Sequence, residues 1–76
     1  MYRVNVLTTG KRDDVKTGYR YCLRKKEMID LLRFFFLDLD CDVKVEKFIH
    51  IHDTIFAWSD YDEEAFTILE DKFINK

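Results

Sequence analysis

The sequence predicts an α+β fold of order ββαββα, in which a four-stranded antiparallel sheet carries two helices on one face. Three features point to it. Apolar and polar residues alternate in four short segments, those segments fall in two closely spaced pairs, and each pair is followed by a stretch of helical period. A chain of 76 residues, 47% apolar and 16% aromatic, can build one core but not two, so residues 1–76 are expected to form a single small domain.

In residues 2–9, Tyr2, Val4, Val6 and Thr8 alternate with Arg3, Asn5, Leu7 and Thr9, the two-residue period of a half-buried strand. The polar segment 10–18, flanked by the chain's two glycines, Gly10 and Gly18, reads as a long hairpin loop. A second strand follows over 19–23, with Tyr19, Tyr21 and Leu23 on one face and Arg20, Cys22 and Arg24 on the other. From residue 25 to about 39 the period becomes helical, and Met28, Leu32, Phe35 and Leu39 form the stripe that faces the core.

Alternation returns over 42–51, where Val43, Val45, Ile49 and Ile51 share one face and Lys44, Glu46, Phe48 and His50 share the other. His52 and Asp53 make a turn, and residues 54–58 complete a second hairpin. Asp60 is the expected N-cap of the last helix, with Glu63 as its capping-box partner and Asp62, Glu63 and Glu64 suited to the positive helix start. Ala65, Phe66, Leu69 and Phe73 are its buried stripe. The two halves share an order of elements without convincing residue identity.

Net charge is −2, but its distribution is uneven. Residues 1–26 hold eight Lys or Arg against two acids, and residues 27–76 hold five against thirteen. The basic part suits nucleic acid or an acidic protein surface, the acidic part suits a basic partner, and the two also suit each other within the fold or across a symmetric dimer. Two cysteines, Cys22 and Cys41, are too few for the disulfide framework of a small secreted domain and are expected to be reduced thiols. With no signal-peptide pattern and no long apolar run, a cytoplasmic protein that does not enter membranes is expected.

Two apolar surfaces stand out. Phe34 and Leu37 project from the first helix on the side away from its core stripe, beside Asp30 and Arg33, and leaving each exposed forgoes about 1.5–3 kcal/mol of burial. Phe48, His50, Phe56 and Trp58 share the outward face of the second hairpin, which Tyr21 or Arg20 would extend according to register. Aromatics on an open sheet suit a protein contact, a self-contact or base stacking, while the neighbouring Glu46, Asp53 and Asp60 disfavour a polyanion.

Other constellations carry less. Lys11, Arg12, Lys16, Arg20, Arg24, Lys25 and Lys26 form a basic set able to contact phosphates, interrupted by Asp13 and Asp14. His50 and His52 have a chelating spacing on a strand but lack a defined third ligand, so no metal is expected. Asp38, Asp40 and Asp42 open like a calcium loop, yet the sixth position is Val43 and the twelfth Ile49, which breaks that pattern and leaves a solvated turn or a docking point for the chain's own basic loop. No phosphate-cradling loop, nucleophile elbow, metalloprotease helix or paired Cys-x-x-Cys is present, so neither catalysis nor a cofactor is expected.

The resulting expectation is a small non-enzymatic protein-binding domain, accessory or inhibitory in kind, as found on bacterial mobile elements, and homodimeric. Its contact residues would be Phe34, Leu37, Phe48, Phe56, Trp58, Tyr61, Asp62, Glu63 and Glu64. The alternative is nucleic-acid binding by the basic N-terminal hairpin, or acidic mimicry of nucleic acid.

Overall fold

A computed structural model describes residues 1–75 and has the expected order, with β1 Tyr2–Val6, β2 Gly18–Cys22, α1 Lys25–Leu32, β3 Val43–His52, β4 Ile55–Asp60 and α2 Asp62–Leu69. The strands form one antiparallel sheet ordered β2-β1-β3-β4. Two hairpins are therefore joined by α1, which carries the chain from one side of β1 to the other. α1 packs on β1 and β2, and α2 packs on β3 and α1, so both helices cover the same sheet face.

Register fixes which side chains that face owns. Tyr2 stands opposite Cys22 and Lys47, and Val4 opposite Arg20 and Val45. Val4, Val6, Val45, Met28, Ile29, Leu32, Ala65 and Leu69 are sealed from solvent between sheet and helices. Full burial of each larger side chain is worth about 1.5–3 kcal/mol, so this layer carries most of the fold.

Both helices depart from the expected geometry at their C-terminal ends. α1 continues as a π-helical segment, Arg33–Asp38, and α2 as Glu70–Ile74. Bonds from residue i to i+5 widen the turn, so a face drawn with the α-helical period slips through these stretches. After the first segment, Asp40 takes a left-handed conformation at φ 60°, and Cys41 N–H donates back to the Phe35 carbonyl at 2.8 Å. This is the glycine-like termination that an Asp can adopt.

β1 ends earlier than the alternation predicts. Leu7 N–H still reaches the Asp42 carbonyl at 2.8 Å and Thr8 Oγ1 accepts from Asp42 N–H at 2.9 Å. The chain then turns at Gly10, φ 61°, where Lys11 N–H donates to the Leu39 carbonyl at 2.7 Å. The long loop is thereby tied by its backbone to the end of the first helix. The aspartate-rich turn is where the loop docks, although the contact uses backbone and not the three carboxylates.

The last helix starts one residue later than the capping pattern implies. Asp60 Oδ1 accepts from Asp62 N–H at 2.9 Å, but the half-helical cap position belongs to Tyr61, whose side chain makes no cap bond. The β-ladder runs on past β4, since Tyr61 N–H donates to the Val45 carbonyl at 2.8 Å and Asp62 Oδ1 accepts from Val45 N–H at 2.5 Å.

Candidate protein-binding face

Among the described residues, no helix lies on the second sheet face. Arg3 and Asn5 from β1, Tyr19 and Tyr21 from β2, Lys44, Glu46, Phe48 and His50 from β3, and Phe56, Trp58 and Asp60 from β4 point this way, because they alternate with the buried set. Six positions of the two hairpins, Tyr19, Tyr21, Phe48, His50, Phe56 and Trp58, thus place rings on one surface. Phe48 stands opposite Trp58 and His50 opposite Phe56.

The rings form a continuous chain. Centroids lie 6.1 Å apart for Tyr19 and Tyr21, 5.7 Å for Tyr21 and Trp58, and 5.0 Å for Trp58 and Phe48. Phe48 stacks on Phe56 at 5.4 Å with an interplanar angle of 8°, and Phe56 on His50 at 4.8 Å. Such pairs contribute about 0.5–1.5 kcal/mol beyond burial. Even so, Tyr21 remains 59% and Phe56 52% exposed, so packing among themselves does not hide them.

Arg3 lies at the centre with its bonding capacity largely used. Its guanidinium is 4.2 Å from the ring centroids of both Tyr19 and Trp58. Nε and Nη2 donate to the two oxygens of Glu46 at 3.0 and 3.2 Å, and this pairing raises the Arg3 pKa further above its ordinary value. A forked pair between stacked rings is a rigid fitting. Its net charge is nil. Lys44 and Asp60 add one charge of each sign, leaving a neutral aromatic surface.

The β3–β4 hairpin also runs beyond the reach of the helices. Ile49, Ile51 and Ile55 are exposed there, the last two by more than half. A bulge between His50 and His52 interrupts the ladder near the turn. His50 Nε2 lies against the Asp53 carbonyl and His52 Nδ1 is 3.3 Å from Asp53 Oδ2. Among the described residues no three His, Cys, Asp or Glu side chains converge as metal ligands.

Several expected contact residues lie elsewhere. Phe34 is 43% exposed but sits on the helix side, in a shallow cavity of about 270 Å³ between the long loop and the π-helical segment, with Val15, Lys16 and Leu39. Leu37 is half-buried against the core, contrary to its expected exposure, because the widened turns carry it round the helix. Tyr61 is likewise a core residue, its ring 5.4 Å from that of Tyr2. Asp62 completes the β3 ladder and is not a free carboxylate. Glu63 and Glu64 are exposed and gather with Asp60 around a recess of about 190 Å³ at the end of β4.

The basic set is divided. Lys11, Arg12 and Lys16 precede β2, while Arg24, Lys25 and Lys26 follow its far end. Arg12 is paired with Asp14 at 2.6 Å, which lowers the Asp14 pKa. Arg20 points to the helix side, where it donates to the carbonyls of Gly18 and Lys16 and lies 4.9 Å from the Phe35 centroid. Cys22 and Cys41 are free and buried, and burial raises the Cys22 thiol pKa.

Burial, followed by the Glu64 carboxylate, pushes the Tyr61 phenol up to about 12. Below the ordinary tyrosine value of about 10, folded and unfolded chains both hold this proton. Between there and the folded value only the unfolded chain releases it, so stability falls as pH rises through that window. Denaturation of Tyr61→Phe should therefore show a shallower alkaline loss than the wild type, and equal slopes would contradict the assignment.

Sequence reasoning missed Arg3 and Tyr19, which become visible as members of the face only when the β1–β2 register is known. Among the described residues no helix is long and apolar enough to cross a membrane. No protein-family model, curated protein or solved structure matches the chain.

Proposed function

We propose that the chain is a small non-enzymatic protein-binding domain, accessory or inhibitory in kind, which takes an apolar patch of another protein onto its open aromatic face. The observation that carries this reading is the unbroken run of rings from Tyr19 to His50 on a sheet face that no element of the described residues covers. Burying one such ring on a partner is worth about 1.5–3 kcal/mol. Aromatic anchors beside a structured Arg are the side chains that dominate protein interfaces.

Charge selects the partner. The face is neutral at its centre, and its β4 end is acidic through Asp60, Glu63 and Glu64. A matching surface is apolar with a basic rim. Single-stranded nucleic acid would need free cations among the rings, but Arg3 is engaged by Glu46, Arg20 points to the helix side, and the other cations of the basic set flank β2.

Panning a random peptide library on the immobilised protein tests the reading. Enriched peptides should carry aromatic or aliphatic anchors flanked by Lys or Arg, and should fail to bind a Trp58→Ala variant. Enrichment of acidic peptides, or binding undiminished in that variant, would overturn it. A thymidine oligonucleotide titrated at low salt should not bind, and salt-sensitive binding would favour the nucleic-acid alternative instead.

A further inference from the structure

β4 is an edge strand, and the hydrogen bonds show which of its backbone groups face outward. Phe48 N–H donates to the Met1 carbonyl, so Phe48 presents its backbone to the β1 side of β3. Tyr61 N–H donates to the Val45 carbonyl, so Val45 presents its backbone to the β4 side. Bonding alternates along an antiparallel ladder. Lys47 with Ser59 and Ile49 with Ala57 are therefore the bonded pairs of the hairpin. The N–H and C=O groups of Phe56 and Trp58 consequently point away from the sheet.

The strand's own residues do not guard that edge. Ile55–Asp60 reads Ile-Phe-Ala-Trp-Ser-Asp, with no Lys, Arg or Pro, and its one charge stands at the end. An apolar, β-favouring edge of this kind invites another strand. The opposite edge differs. β2 has Arg20 at its middle and Lys16 and Arg24 just outside its ends, so two β2 strands repel one another.

We propose that β4 pairs antiparallel with β4 of a second copy about a twofold axis at Ala57, giving one continuous eight-stranded sheet. In this register Phe56 stands opposite Trp58 of the second copy and Ile55 opposite Ser59 of the second copy, so residues of like orientation face each other and all helices lie on one side. Phe56 and Trp58, whose backbone groups point outward, form the bonded pairs. Ala57 meets Ala57 of the second copy at a non-bonded position, where Cα atoms approach to about 4.5 Å and a small side chain fits. The two Asp60 carboxylates are held at opposite ends of the joint.

The arrangement closes on itself, because each β4 is used once, whereas β2 on β4 would propagate into a filament. It also joins the two aromatic faces through Phe56 and Trp58 into a single larger platform. The inference goes beyond the binding reading and stands or falls separately from it.

Ala57→Cys in the full chain is the test. Under mild oxidation it should form a disulfide-linked species of twice the 9.3 kDa chain mass, because a non-bonded antiparallel pair matches disulfide geometry and Cys22 and Cys41 are buried. Thr67→Cys, exposed on α2, should not. Wild-type protein should sediment as a dimer and Ala57→Lys as a monomer, since the new ammonium groups would face each other at the axis. A monomeric wild type at its highest soluble concentration, or cross-linking of Ala57→Cys no faster than that of Thr67→Cys, overturns the proposal. Peptide binding to the aromatic face is read independently, so failure of the dimer leaves that reading in place and the reverse also holds.

Discussion

Gly10→Ala is expected to destabilise the protein by about 2–5 kcal/mol, combining left-handed strain with overpacking. A Cβ at this position would lie 2.0 Å from the Leu39 carbonyl oxygen and 2.9 Å from both the Cys41 nitrogen and sulfur. Two of those three atoms belong to backbone, so the neighbour cannot rotate away. The bond from Lys11 N–H to Leu39 would be lost with the close approach, freeing the loop and uncapping the first helix together. Urea denaturation at fixed protein concentration checks this, because association would otherwise shift the midpoint. A midpoint within error of the wild type would mean that the loop does not dock there.

Leu32→Ala should cost a similar amount, about 2–5 kcal/mol, by leaving a cavity between α1 and the sheet. Leu32 is fully sealed from solvent and belongs to the same core cluster as Val4 and Val45 of the sheet and Leu69 of α2. Truncation of Phe34, 43% exposed two residues further on, should cost much less. The contrast matters because both are large apolar residues of one helix, and only the first supports the fold. A Phe34→Ala loss as large as that of Leu32→Ala would place the π-helical segment wrongly.

The order of elements was legible because each rested on a periodicity long enough to override local ambiguity. Alternation placed Val43, Val45, Ile49 and Ile51 on one face of the third strand; the two valines are buried, whereas Ile49 and Ile51 are exposed because the hairpin runs past the helices there. Phe48, His50, Phe56 and Trp58 were likewise assigned to the outward face, since a single hairpin register decides them together. Other features depended on information that single-sequence periodicity lacks. Leu37 was misplaced because nothing in its neighbourhood announces wider helical turns. Tyr61 and Asp62 read as free polar groups near a helix start, but the ladder extends one step past β4 and takes both into its bonding. In the sequence Arg3 shows only as a residue alternating with Tyr2 and Val4. Its engagement by Tyr19, Trp58 and Glu46 joins residues from all four strands and follows only from the strand order β2-β1-β3-β4.

The claim that the exposed rings exist for recognition and not for folding is separable by comparing two quantities in one variant. Phe48→Ser combined with Phe56→Ser removes the stacked pair at the middle of the face while leaving the helix-side core untouched. Affinity for a peptide selected on the wild type should fall by more than tenfold, with a stability loss of no more than about 2 kcal/mol, the range for a cross-strand aromatic pair plus its partial burial. Undiminished peptide affinity alongside collapse of the fold would show that the rings are a second core, contradicting the account.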